Sequence, residues 1–70
     1  MIPLTYANLQ ESNVIKKVGG NVEVKRHLEN LGFVAGSEVR VINVVGGNMI
    51  VSVKEARVAL SKELAQKIMI

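Results

Sequence analysis

The sequence predicts a mostly β fold: a small five-stranded barrel with one inserted α-helix and a short helical turn before the last strand. Three observations carry this. Val, Ile and Leu make up 24 of the 70 residues, and β-branched side chains favour the half-buried surface of a strand. Five short apolar runs are separated by turn residues such as Gly19-Gly20 and Gly46-Gly47-Asn48. Between Leu28 and Val45 the apolar period changes from that of a helix to that of a strand, across two glycines four residues apart.

Each element follows from local chemistry. Thr5 can cap a single turn over Tyr6 to Leu9, with Pro3 keeping the chain before it extended. Leu4 and Leu9 are expected to plug one end of the core. Asn13 to Val18 is the first strand, ended by Gly19-Gly20. Asn21 is a good N-cap for a helix over Val22 to Leu31. Glu23 lies in its first turn, where the helix dipole favours an acid. Val24, Leu28 and Leu31 lie on one face of that helix. Gly32 suits a left-handed C′ position, and the residue after such a glycine packs back on the last turn, which pairs Phe33 with Leu28. Val34 to Ser37 reads as a type II turn with Gly36 at the φ > 0 position.

Val39 to Val45 and Met49 to Val53 are the second and third strands, joined by a tight hairpin at Gly46-Gly47-Asn48. Arg57 to Leu60 is the fourth. Ser61 can cap a helical turn over Lys62 to Gln66 that buries Leu64 and Ala65, and Lys67 to Ile70 is the fifth strand. Closing five strands on one core removes their exposed edges. A helical turn just before the last strand is the order found in SH3-like barrels, with the helix inserted between the first two strands. An OB-like barrel is the alternative.

The length allows one domain, residues 1–70. The chain has no cysteine, so it offers no disulfide, thiolate site or zinc knuckle. No apolar run approaches the roughly 20 residues that span a bilayer, and no basic segment followed by an apolar one marks a signal peptide. A cytoplasmic location is the expectation. Net charge is +3, from basic residues scattered along the chain. A nucleic-acid binder more often shows denser basic clusters and stacking aromatics, and here the only Phe and Tyr are Phe33 and Tyr6. No nucleic-acid partner is expected, and a nucleic-acid-binding small β-barrel, drawn from the net positive charge and the barrel fold, is the alternative reading.

Nothing in the sequence suggests an enzyme. His27 is the only histidine, and with Glu23 it supplies two metal ligands at most. There is no Asp, and the six Glu stand apart, with no pair spaced for acid–base work. Gly19-Gly20-Asn21 is too short for a phosphate loop. No catalytic, cofactor or metal site is expected. Strand alternation leaves Ile42, Val44, Ile50 and Met69 on the face opposite the core. If they form an exposed patch, they mark a partner site.

The series Ile2-Pro3-Leu4, Gly19-Gly20, Lys25-Arg26-His27-Leu28-Glu29-Asn30-Leu31-Gly32-Phe33-Val34-Ala35-Gly36, Val58-Ala59-Leu60 and Ala65-Gln66-Lys67-Ile68 resembles the FeoA family, small cytoplasmic SH3-like proteins of bacterial ferrous iron transport. The same domain also occurs fused to iron-dependent repressors. Gly46-Gly47-Asn48 replaces a longer loop of many members, and Ser61 stands where many carry Arg. The resemblance implies a non-enzymatic accessory protein without a cofactor. Its implied partner is the cytoplasmic region of FeoB, a membrane iron permease with a GTP-binding domain, so that membrane contact runs only through the partner. Weak self-association is compatible with this reading.

Overall fold

In the computed structural model, which describes all 70 residues, the chain runs through a 3₁₀ turn (Leu4–Tyr6), β1 (Ser12–Val14), β2 (Lys17–Val18), α1 (Val22–Asn30), β3 (Glu38–Val45), β4 (Asn48–Val53), β5 (Ala56–Ser61), α2 (Lys62–Ala65) and β6 (Ile68–Met69). A four-stranded antiparallel sheet has the order β1-β3-β4-β5, and β2 pairs with β6 in a second, two-stranded sheet. The predicted closed barrel is therefore two sheets. No ladder joins β5 back to β1, and both remain edges of the larger sheet.

The predicted first strand is broken in two, because Ile15 hands the chain from one sheet to the other. The Ile15 amide donates to the Ser37 carbonyl at 2.9 Å, and the Gly36 amide donates to the Ile15 carbonyl at 2.8 Å. One residue later the Lys16 amide donates to the Met69 carbonyl at 2.8 Å. The turn that redirects α1 into β3 thus also holds the bend between β1 and β2. The five expected strands become six.

Both helix starts are capped as the sequence predicts. Asn21 Oδ1 accepts from the Val24 amide at 2.9 Å, and Ser61 Oγ accepts from the Leu64 amide at 3.3 Å. Helix α1 ends in a Schellman motif: the Phe33 amide donates to the Leu28 carbonyl and the Gly32 amide to the Glu29 carbonyl, each at 3.0 Å. Gly32 has φ +107°, and Leu28 and Phe33 are both fully buried. The Ser37 amide closes the following type II turn onto the Val34 carbonyl at 3.1 Å, with Gly36 at φ +93°.

Fourteen apolar residues form one core, among them Leu4, Ile15, Leu28, Phe33, Val39, Val41, Met49, Val51, Val53, Leu60, Ala65 and Ile68. Strand β4 alternates cleanly, with Met49, Val51 and Val53 inward. In α2 it is Ala65 that is fully buried, while Leu64 packs at the edge of the core. The first helical turn lies at Leu4–Tyr6 rather than Tyr6 to Leu9, with Pro3 in the cap position and no side-chain cap from Thr5. Leu9 is correspondingly not a core plug. It is half exposed and makes only an isolated parallel bridge to Val41. The β3–β4 hairpin is a two-residue turn, Gly46-Gly47. Only Gly46 takes φ > 0, the pattern of a type II′ turn, and Asn48 already belongs to β4.

Candidate docking surface

The sheet register decides which of the predicted outward residues share a face, because residues directly opposite on antiparallel strands point to the same side. Val39 pairs with Val53 and Val41 with Val51, all inward. The register then shifts between Val41 and Asn43, so Ile42 is the extra residue of a β-bulge. Beyond it Asn43 pairs with Ile50 on the outer face, and Val44 pairs with Met49 on the inner one. Strict alternation, which places Val44 with Ile42 and Ile50, is therefore corrected by the bulge. Val44 is 42% exposed all the same, because it lies near the hairpin tip where the core beneath it ends.

Ile42 and Ile50 are partly buried, as is Met69. Met69 belongs to the other sheet, opposite Lys17 and bridged to Pro3. No strand pairs with both β4 and β6, so the ladder brings Ile42, Val44 and Ile50 to one hairpin and leaves Met69 apart. Alternation did not single out Val45, 58% exposed beside the Gly46-Gly47 turn, or Leu9, which stands along the same half of β3. A strand end beside a glycine turn was the available signal for Val45. Leu9 carried none, because its exposure depends on where the preceding 3₁₀ turn falls.

His27 and Glu23 are both on the exposed side of α1, and no group of three or more His, Cys, Asp or Glu side chains converges anywhere in the chain. No buried side-chain polar atom lacks a hydrogen-bond partner. No helix is long and apolar enough to cross a membrane. One cleft of about 390 Å³ opens on the outer face of the larger sheet, lined by Ser12, Ser37, Glu38, Arg40, Ser52, Lys54 and the backbone strand at Val39. It is polar, and histidine is absent from it.

A family model described as the FeoA domain matches residues 2–70. The chain belongs to the FeoA family. FeoA proteins are small non-enzymatic accessory proteins of ferrous iron transport, and their fold is SH3-like. The chain is 33% identical, over its whole length and 85% of the relative's, to a Methanocaldococcus jannaschii protein that carries the name Fe(2+) transport protein A. It is 32% identical to the Stenotrophomonas maltophilia FeoA crystallised with zinc and described as a prokaryotic SH3 domain protein; the TM-score is 0.85, covering 99% of this chain and 88% of that one. A manganese-dependent transcriptional repressor contains the same fold, at TM-score 0.85 and 20% identity over 94% of this chain and 38% of the repressor.

Proposed function

We propose that this FeoA protein acts in the cytoplasm by docking on the cytoplasmic region of the ferrous iron permease FeoB, and that the contact is apolar and centred on the β3–β4 hairpin. The observation that carries the reading is the combination of a complete core with uncovered aliphatic residues. Fourteen residues satisfy the interior, yet at the hairpin Val45 stays 58% exposed on the outer face with half-buried Ile50, and Val44 stays 42% exposed on the inner one. Aliphatic side chains gathered at one hairpin of a protein this small suit a partner that removes them from water. Met69 belongs to the proposal only as a second contact, since it lies on the other sheet.

The test pairs stability with binding. Ile50→Lys and Val44→Lys are made singly, the free protein is melted, and each variant is used to retain detergent-solubilised FeoB. The expected result is a melting temperature close to wild type and a loss of retained permease, since truncating a central apolar contact typically costs more than about 1 kcal/mol of binding. Full retention by both variants would overturn the hairpin as the docking surface.

A further inference from the structure

Charges that are scattered in the sequence are collected by the sheet. On its outer face Ser12 of β1 stands opposite Arg40 of β3, Arg40 opposite Ser52 of β4, and Ser52 opposite Arg57 of β5. These four residues form one cross-strand row. The polar cleft is lined by Ser12, Arg40 and Ser52 of this row, with Lys54 and Ser37 at its side, and Arg57 continues the row beyond the lining. We infer that this cleft binds an extended acidic peptide segment, whose carboxylates pair with Arg40 and Arg57.

The chemistry of the cleft favours that occupant. None of the side-chain hydrogen bonds in the chain involves Arg40, Lys54 or Arg57, and the Ser37 and Ser52 hydroxyls are equally unengaged. The one acid in the cleft, Glu38, is held by Ser12, whose Oγ donates to Glu38 Oε2 at 3.3 Å. Arg40 and Lys54 in the cleft, with Arg57 at the end of the row, therefore stand against one carboxylate that already has a donor. Arg40 and Arg57 are two strands apart, about 10 Å between Cα atoms at the usual strand spacing. Acidic residues two or three apart on an extended chain are spaced about 7–10 Å, so one peptide can reach both guanidiniums, each of which suits a carboxylate bidentately. Nucleic acid fits less well, because no aromatic residue lines the cleft for base stacking. The surface is separate in character from the aliphatic hairpin tip, although Ile50 lies on the same face two residues along β4.

The experiment uses a ¹⁵N-labelled sample of the whole chain and a synthetic peptide of alternating glutamate and serine, titrated at low salt and followed by amide chemical shifts. Saturable shifts at residues 12, 37–40 and 52–57, weakening as salt rises, are expected. Removing one of the two arginines should weaken binding about two- to fivefold, the range for exposed ion pairs. The double variant Arg40→Glu, Arg57→Glu should abolish the shifts while keeping a folded spectrum, because both side chains are solvent-exposed. If charge reversal disturbs folding, Lys54→Gln with Arg57→Gln supplies the same comparison. The inference falls if no saturable shift appears, if the shifts spread evenly over Lys16, Lys17, Lys25 and Lys67, or if oligothymidylate binds the cleft more tightly than the peptide does. Because the probe is a free peptide, this outcome is independent of whether FeoB docks on the hairpin.

Discussion

Gly36 holds φ +93° with open space where a Cβ would stand, whereas at Gly32, φ +107°, a Cβ would sit 3.6 Å from Lys54 Cδ and 3.7 Å from Val53 Cγ1. Neither site is sterically closed to a methyl group, so the cost of substitution is a backbone cost. Gly32→Val and Gly36→Val should each lose about 1–3 kcal/mol. That corresponds to a fall of several degrees or more in melting temperature for a domain of this size. A chemically synthesised chain with D-alanine at position 36 separates the two causes. Its left-handed preference matches the native φ, so it should melt at or above the wild-type temperature. A D-alanine chain as unstable as the Val variant would count against backbone strain as the cause.

These glycine positions were legible in the sequence because a helix end and a type II turn are decided by contacts within five residues. The same holds for the caps. Asn21→Ala removes the acceptor of the Val24 amide and should cost about 1 kcal/mol, read by denaturant melts as a lower midpoint with unchanged slope.

At the scale of elements, the extra residue at Ile42 sets the orientation of everything beyond it in β3. Deleting Ile42 should remove the bulge and leave strict alternation across Val41 and Asn43, with Val44 still inward opposite Met49. The β3–β4 ladder then runs unbroken, and amide hydrogen exchange should show protection continuous from Val39 to Val45. Loss of protection beyond Val51 alone would contradict this. The bulge was not legible, because nothing in Val39-Arg40-Val41-Ile42-Asn43-Val44-Val45 distinguishes it from an alternating run. It exists only in relation to the partner strand. The break at Ile15 is of the same kind. Its amide and carbonyl are claimed by Ser37 and Gly36, more than twenty residues away in sequence.

For the molecule as a whole, the core is small and drawn from every element except β1, so it tolerates no charge. Val41 and Val51 are fully buried, and Val41→Asp or Val51→Asp should prevent folding through an unpaired buried carboxylate, seen as a collapsed amide spectrum. Surface substitutions in the polar cleft should leave that spectrum dispersed. The chain's ligand chemistry leads to a further expectation: with one His, no Cys and no Asp, and no three potential ligands together, anaerobic calorimetric titration with ferrous iron should return no stoichiometric site of sub-micromolar affinity. Such a site would require ligands from a second copy of the chain or a rearranged fold.

By itself the sequence determined whatever depends on neighbours along the chain: the mostly β class, helix α1 with its Asn21 cap and Gly32 stop, the Gly36 turn, the hairpin at Gly46, the cap at Ser61 and the inward set Val39, Val41, Met49, Val51 and Val53. Tertiary structure alone decided the bend at Ile15, the exposure of Leu9, the bulge at Ile42, the placement of Met69 and Ile50 in different sheets and the gathering of Arg40 and Lys54 in one cleft, with Arg57 in the same cross-strand row. Caps and turns are fixed by hydrogen bonds spanning a few residues, which residue types announce. Bulges, sheet changes and charge rows arise from pairing between segments far apart, where the deciding partner is named nowhere in the local sequence.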